Sequence, residues 1–282
     1  MALFDGVLLV SDVDATLLDK QKNIPPRNLA AIERFKSLGG AFTIATGRTH
    51  LTCDSIAQRA GVNAPVIVYN GGGVYDRETQ TFLWRRMLER DALIAPFREM
   101  MARHPDVGVE INAGSAALMV NPTAPIDPNV LRGNFPYVRA DIADAPAQWF
   151  KIMFNAPKKS ILQVLEPEAR QLLAPFLAQG CTLTYSGESY LELLPASKGT
   201  ALEQLAHIRG YARENIIAVG DYDNDLEMIR WAGLGVAVKN AQDNVRAAAD
   251  KIVCSSDDGA IAQVIEELEA ELQNQKIHKG GC

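Results

Sequence analysis

Short unbroken apolar runs alternate with amphipathic stretches along most of this chain. Val7-Leu8-Leu9-Val10-Ser11 is such a run and leads directly into Asp12-Val13-Asp14. Runs of this length without polar alternation are strands buried on both faces, as in parallel sheets covered by helices. After Pro25-Pro26-Arg27-Asn28, the residues Leu29, Ile32, Phe35 and Leu38 recur at helical spacing, and Gly39-Gly40 supplies a stop. The unit then repeats: Ala41 to Ala45 is apolar, Thr46-Gly47-Arg48 ends it, and a helix is predicted from about Leu51 to Ala60. Val66 to Tyr69 runs into Asn70-Gly71-Gly72-Gly73. Near the C-terminus Ile216 to Val219 ends in Gly220-Asp221, a helix follows through Met228 and Trp231, and Leu234 to Val238 is a further strand. Helices over about 241–249 and 260–274 close the chain. This order predicts an α/β protein, a Rossmann-like parallel sheet with helices on both faces, whose functional groups gather at the carboxyl ends of the strands.

Between about Trp84 and Glu188 the grammar changes. Candidate strands at Val107 to Ile111 and Lys151 to Phe154 mix with helical runs at Asp91 to Arg103 and Pro157 to Leu177, and Pro122, Pro125 and Pro128 crowd one stretch. The pattern predicts an inserted α+β domain over 84–189, dividing a core made of 1–83 and 190–282. The length of 282 residues favours two domains, and the composition, 48% hydrophobic and 22% charged, is that of a globular protein.

A net charge of −6 gives no generic attraction to nucleic acid or to anionic membranes, so neither is expected as a partner. No apolar run approaches the roughly 18 residues that span a bilayer. The N-terminus lacks the basic and apolar regions of a signal peptide. Four cysteines without CxxC spacing suggest neither a zinc site nor a disulfide framework, and free thiols suit a reducing cytoplasm.

Four polar clusters fall at strand ends or helix starts. Asp12 and Asp14 would share a face if strand geometry persisted, and two close carboxylates call for a cation or a shared proton. Oxygen-only ligands favour Mg²⁺. The same residues also suit a plain strand end and turn. Gly220-Asp221-Tyr222-Asp223-Asn224-Asp225 opens a helix, where acids act as caps, and Leu226 and Ala232 exclude a calcium-binding EF-hand. Thr46-Gly47-Arg48 and Ser197-Lys198-Gly199-Thr200 stand where a helix start can receive an anion. No GxxxxGK[ST] loop or dinucleotide glycine fingerprint occurs.

Taken together and in order, DVDAT, TGR, SKG and GDYDND resemble the motifs of the haloacid dehalogenase superfamily of phosphatases. The spacing is similar to its Cof-type, sugar-phosphatase-like branch, with a large cap between the second and third motifs. Ala15 departs from the family's DxDGT, and Lys239-Asn240-Ala241 from its more usual Gly-Asn-Ala. The resemblance implies Asp12 as nucleophile and Asp14 as general acid and base, its pKa raised by Asp12. It implies Mg²⁺ held by Asp12, the Asp14 carbonyl and Asp221, with Asp225 beside them. Thr46, Gly47, Lys198 and Asn224 would bind the phosphoryl group or substrate. The implied reaction is Mg²⁺-dependent hydrolysis of a small phosphorylated metabolite, a sugar phosphate, through an aspartyl phosphate. A phosphomutase and a receiver-like phospho-acceptor domain are the alternatives.

Overall fold

A computed structural model describes residues 2–114, 116–124 and 136–279. Pro125 and Pro128 lie outside the described residues. In chain order the first strands are β1 (Leu8–Asp12), β2 (Ala41–Ala45), β3 (Val66–Val68), β4 (Gly73–Asp76) and β5 (Thr81–Arg85). Next come β6 (Leu88–Glu89), β7 (Gly108–Asn112), β8 (Ala117–Met119), β9 (Tyr137–Arg139), β10 (Gln148–Trp149) and β11 (Lys151–Asn155). The last are β12 (Thr182–Tyr185), β13 (Tyr190–Leu194), β14 (Ile216–Gly220), β15 (Leu234–Val238) and β16 (Lys251–Val253). One sheet has the order β16-β15-β14-β1-β2-β3-β4-β5; β16 through β3 are parallel and β4 and β5 add an antiparallel edge.

The unbroken apolar runs are explained by what covers them. Alternate residues of β1, Leu9 on one side and Leu8 and Val10 on the other, enter separate hydrophobic clusters. The first cluster takes Ile32 and Phe35 from the helix Pro26–Ser37 and Ile261 and Ile265 from the C-terminal helix Ala260–Lys279. The second takes Leu202 and Leu205 from the helix Lys198–Arg209 and Met228 from Leu226–Trp231. Burial on both faces removes the polar alternation a half-exposed strand would show.

The second sheet has the order β12-β13-β11-β7-β8-β9. Its odd-face residues Val109, Ile111, Ile152, Phe154, Leu191 and Leu193 pack with Phe97 of the helix Arg90–Arg103 and Leu162 and Leu165 of Lys159–Leu172. Strand β13 pairs with β11 and β12 in this sheet, so the sheet extends past residue 189, where the inserted unit was expected to end. Leu191 and Leu193 account for this, because their side chains complete the hydrophobic cluster of this sheet, with Ile111, Ile152 and Phe154. The predicted helix over 157–177 is broken at Leu173 into Lys159–Leu172 and Ala174–Ala178, with Pro175 starting the second piece.

Register sets the functional edge. Ser11 is level with Val219, and Asp12 is level with Ala45, so Asp12, Thr46 and Asp221 end three neighbouring parallel strands at nearly the same height.

Candidate active site

Asp12, Asp221 and Asp225 bring one carboxylate oxygen each to within 4.8 Å of one another, and all three side chains are buried. The Lys198 ammonium, wholly buried, lies 2.6 Å from Asp12 Oδ1 and 2.6 Å from Asp225 Oδ1. Local chemistry fixes each part. Ser197 caps the helix that begins at Lys198, its Oγ accepting the Thr200 N–H at 3.1 Å. Asp225 Oδ2 accepts the backbone N–H groups of Asp221 and Tyr222, folding the Asp221–Asp225 turn back on itself. A Cβ on Gly220 would stand 2.5 Å from Asp225 Cβ, so only glycine permits that approach. Thr16 Oγ1 donates to Asp221 Oδ1 at 3.1 Å and ties the loop after β1 to the neighbouring strand end.

Burial dominates the electrostatics. It pushes the Asp12 carboxyl up to about 7, with Asp225 adding to the rise and Lys198 opposing it. Burial, then the charges of Asp12 and Asp225, push Asp221 up to about 9. Burial disfavours the Lys198 charge, but the two carboxylates outweigh it and hold the ammonium above its ordinary value. One cation among three buried carboxylates leaves the cluster short of positive charge. The donors are all oxygen, so the set fits a hard divalent ion such as Mg²⁺.

Asp14 differs from expectation. The strand stops at Asp12, and Asp14 (φ −81°, ψ 124°) and Ala15 (φ 63°, ψ 12°) turn the chain. The Asp14 carboxylate therefore leaves the Asp12 face and is gripped by Arg48 at 3.1 Å and Lys22 at 2.9 Å. Burial works against its charge, but Arg48 and Lys22 prevail and hold it below the usual carboxylate range. The raised pKa expected from Asp12 is thus reversed by two cations the sequence reading did not pair with it. Ala15 occupies a left-handed conformation that glycine adopts freely. Its carbonyl accepts from Asn240 Nδ2 at 2.8 Å, so the KNA loop braces the turn next to Asp14.

Thr46 is buried at the end of β2, its Oγ1 accepting the Arg48 N–H at 3.2 Å. Gly47 packs under Asn70, whose Nδ2 would be 2.8 Å from any Cβ there. Asn224 reaches Asn70 as well, donating to its Oδ1 at 2.9 Å. Asn70 is therefore the hub that joins two predicted substrate residues. It sits in a tight turn in which Tyr69, Asn70 and Gly71 all have positive φ. A Cβ on Gly71 would approach the Ser197 carbonyl to 2.2 Å, so glycine lets this turn abut the helix start that carries Lys198. From Asn70 the network crosses into the second sheet, Nδ2 donating to Glu192 Oε2 at 2.7 Å, and Glu192 pairs with Lys151 at 3.0 Å. The visible signal for that pair was a single charge inside each of the apolar segments Lys151–Phe154 and Tyr190–Leu194.

The site is a cluster of buried carboxylates around one buried lysine at the carboxyl edge of a parallel sheet. Residues 9–265 match the haloacid dehalogenase-like hydrolases, and the chain belongs to that family. A 5-amino-6-(5-phospho-D-ribitylamino)uracil phosphatase of Bacillus subtilis is 30% identical, covering 93% of this chain and 95% of its own. A pyridoxal phosphate phosphatase of Escherichia coli is 27% identical over 92% of this chain and 97% of its own. The crystal structure of a haloacid dehalogenase-like hydrolase from Bacteroides thetaiotaomicron superposes with a TM-score of 0.76 at 27% identity, covering 93% of this chain and 99% of that one. No helix among the described residues is long and apolar enough to cross a membrane.

Proposed function

We propose that this protein is a Mg²⁺-dependent phosphatase of small phosphorylated metabolites, sugar phosphates among them, working through an aspartyl phosphate on Asp12. The observation that carries the reading is Lys198 seated between Asp12 and Asp225 beside Asp221, at the ends of adjacent parallel strands. The family match and the phosphatases among the relatives support it, and those named above act on small phosphorylated compounds.

Asp12 Oδ1 attacks phosphorus, the ester oxygen leaves, and water then cleaves the acyl phosphate, so one difficult displacement becomes two easier ones. Lys198 holds the Asp12 carboxylate in place and stabilises charge on the phosphoryl oxygens, assisted by the Thr46 hydroxyl and the amides of the Gly47 loop. Asp12, Asp221 and Asp225 would hold Mg²⁺, with the Asp14 carbonyl as a further ligand. The ion supplies neutralisation of the three carboxylates and orientation of the phosphoryl oxygens. Asp14 protonates the leaving oxygen and then takes a proton from water, which requires it to leave the Arg48 and Lys22 contacts. Uncatalysed phosphomonoester hydrolysis is so slow that accelerations reach about 10²¹-fold. One preorganised donor contributes only about 2.7–4 kcal/mol. Several of these groups must therefore act together. The segment from β6 through β13 serves as the cap over this site, and cytoplasmic action fits the free thiols.

The test is phosphate release from sugar phosphates and a chromogenic ester, with Mg²⁺ or EDTA, in wild type and Asp12→Asn. Mg²⁺-dependent release lost in the variant is the expected result. Isomerised ester without released phosphate would favour a mutase, and a long-lived phosphoaspartate would favour a receiver.

A further inference from the structure

Tyr222 belongs to the loop after β14, yet its side chain packs into the other unit. The ring lies against the hydrophobic cluster of the second sheet, although the backbone runs between Asp221 and Asp225. Three residues of the second-sheet unit converge on it. Lys159, the first residue of the helix Lys159–Leu172, donates from Nζ to the Tyr222 hydroxyl at 2.9 Å. The same ammonium lies 4.9 Å from the centre of the Tyr222 ring and 4.7 Å from that of Tyr185, at the end of β12. The Tyr222 hydroxyl in turn donates to Glu188 Oε1 at 2.8 Å, in the turn between β12 and β13. The Lys159 side chain is only 20% exposed, and partial withdrawal from water strengthens the attraction of a cation to aromatic faces. Lys159 also stands 3.8 Å from Asp223 Oδ2, while Asp223 Oδ1 accepts from Asn244 Nδ2 at 2.6 Å on the opposite side.

Two of the three clustered carboxylates depend on where Tyr222 sits. Its N–H donates to Asp225 Oδ2 at 3.2 Å, its carbonyl accepts the Asp225 N–H at 2.9 Å, and Asp221 directly precedes it. We infer that Lys159 is a positioning residue for the metal site: by holding Tyr222 and Asp223, it keeps the Asp221–Asp225 loop in the arrangement that binds Mg²⁺ tightly. The inference rests on the Mg²⁺-dependent phosphatase reading above. Without Lys159 the loop would keep its carboxylates but hold them in more than one arrangement, and binding of the ion would have to order them. Charge acts in the opposite direction, which makes the sign of the effect informative. A cation beside the loop repels Mg²⁺, so on charge alone the loss of Lys159 would tighten binding. Positioning predicts that it weakens binding.

The experiment titrates Mg²⁺ into the whole metal-free protein by calorimetry, for wild type, Lys159→Met, Lys159→Arg and Tyr222→Phe, with a thermal melt of each in EDTA. Lys159→Met should weaken Mg²⁺ binding about tenfold, the lower end of what losing a residue that supports a metal ligand costs. Lys159→Arg keeps a cation over both rings and should recover most of the affinity. Tyr222→Phe keeps the ring and loses the hydroxyl, so it should fall between, and it carries the test if Lys159→Met does not fold. The Mg²⁺ concentration giving half-maximal phosphate release should rise in step with the dissociation constant. Mg²⁺ binding that is unchanged or tighter in Lys159→Met and Tyr222→Phe, with at most a lower melting temperature, would overturn the inference and leave the phosphatase reading intact. Absence of Mg²⁺ binding in the wild type would overturn both.

Discussion

The Lys198 ammonium lies 2.6 Å from the Asp12 carboxylate, with no part of the lysine exposed to solvent. A charge pair this deep is costly to break, since removing one partner from a buried pair leaves the other uncompensated, at about 3–5 kcal/mol. Here the loss would strand Asp225 as well. Lys198→Met should lower thermal stability markedly and reduce turnover by about 10²-fold or more, the scale of one preorganised donor. A melting curve and a rate on the same preparation check this, and near-wild-type values in both would contradict the proposed role.

Arg48 controls when Asp14 carries a proton. It is the leading influence lowering the Asp14 pKa, against burial, which raises it. Removing Arg48 therefore moves that pKa upward, so more Asp14 is protonated at a given pH. In Arg48→Ala the alkaline limb of the kcat profile should shift to higher pH, even if the maximal rate falls. A profile unchanged on that side would separate Asp14 from the proton transfer to the leaving group.

Metal-free protein should lose stability as pH rises. The folded-state values of Asp12 and Asp221 are raised, to about 7 and about 9, so the native state holds protons that the unfolded chain releases near 3.8. Their stabilising contribution is complete below that unfolded value and disappears as pH climbs through the folded ones. With EDTA the melting temperature should fall between pH 5 and pH 9, and added Mg²⁺ should restore it most at the alkaline end. The titration is read by thermal unfolding, and a larger Mg²⁺ effect at pH 5 would contradict it.

Ala15 strains the turn after β1. A left-handed conformation costs a residue with a Cβ roughly 1–2 kcal/mol, and Ala15 holds φ 63°. Ala15→Gly relieves that cost but enlarges the unfolded ensemble, so a net gain of about 1 kcal/mol or less is expected. Chemical denaturation measures it. A loss of stability would mean that the Ala15 methyl contributes packing that outweighs the strain.

How far the sequence disclosed this molecule depended on distance along the chain. Apolar runs ending in Asp12, Thr46-Gly47, Asn70-Gly71 and Gly220-Asp221 located the four strands that lead into the site, because burial on both faces imposes a local composition. Asp12 and Asp221 stand at the ends of such runs, whereas Asp225 and Lys198 lie at helix starts and were singled out by the resemblance of the ordered motifs. The direction of Asp14 was not, because two backbone angles beyond Asp12 decide it and its partners Arg48 and Lys22 come from other loops. Asn70 could be read as a turn cap or a cleft residue. Only the folded chain brings Glu192, 122 residues away, to its amide. The extent of the second sheet was likewise decided by packing, since Leu191 and Leu193 look the same in sequence whichever sheet receives them.

The proposed reaction passes through a covalent phosphoryl group on Asp12. The direct measurement is acid quench during turnover of Asp14→Asn, in which breakdown of the intermediate should be slowed, followed by borohydride reduction and peptide mass analysis. Label or reduction is expected at Asp12, Mg²⁺-dependent and absent in the Asp12→Asn control. Phosphate release with no modification at Asp12 at any quench time would contradict it, and direct attack of water on the ester would take its place.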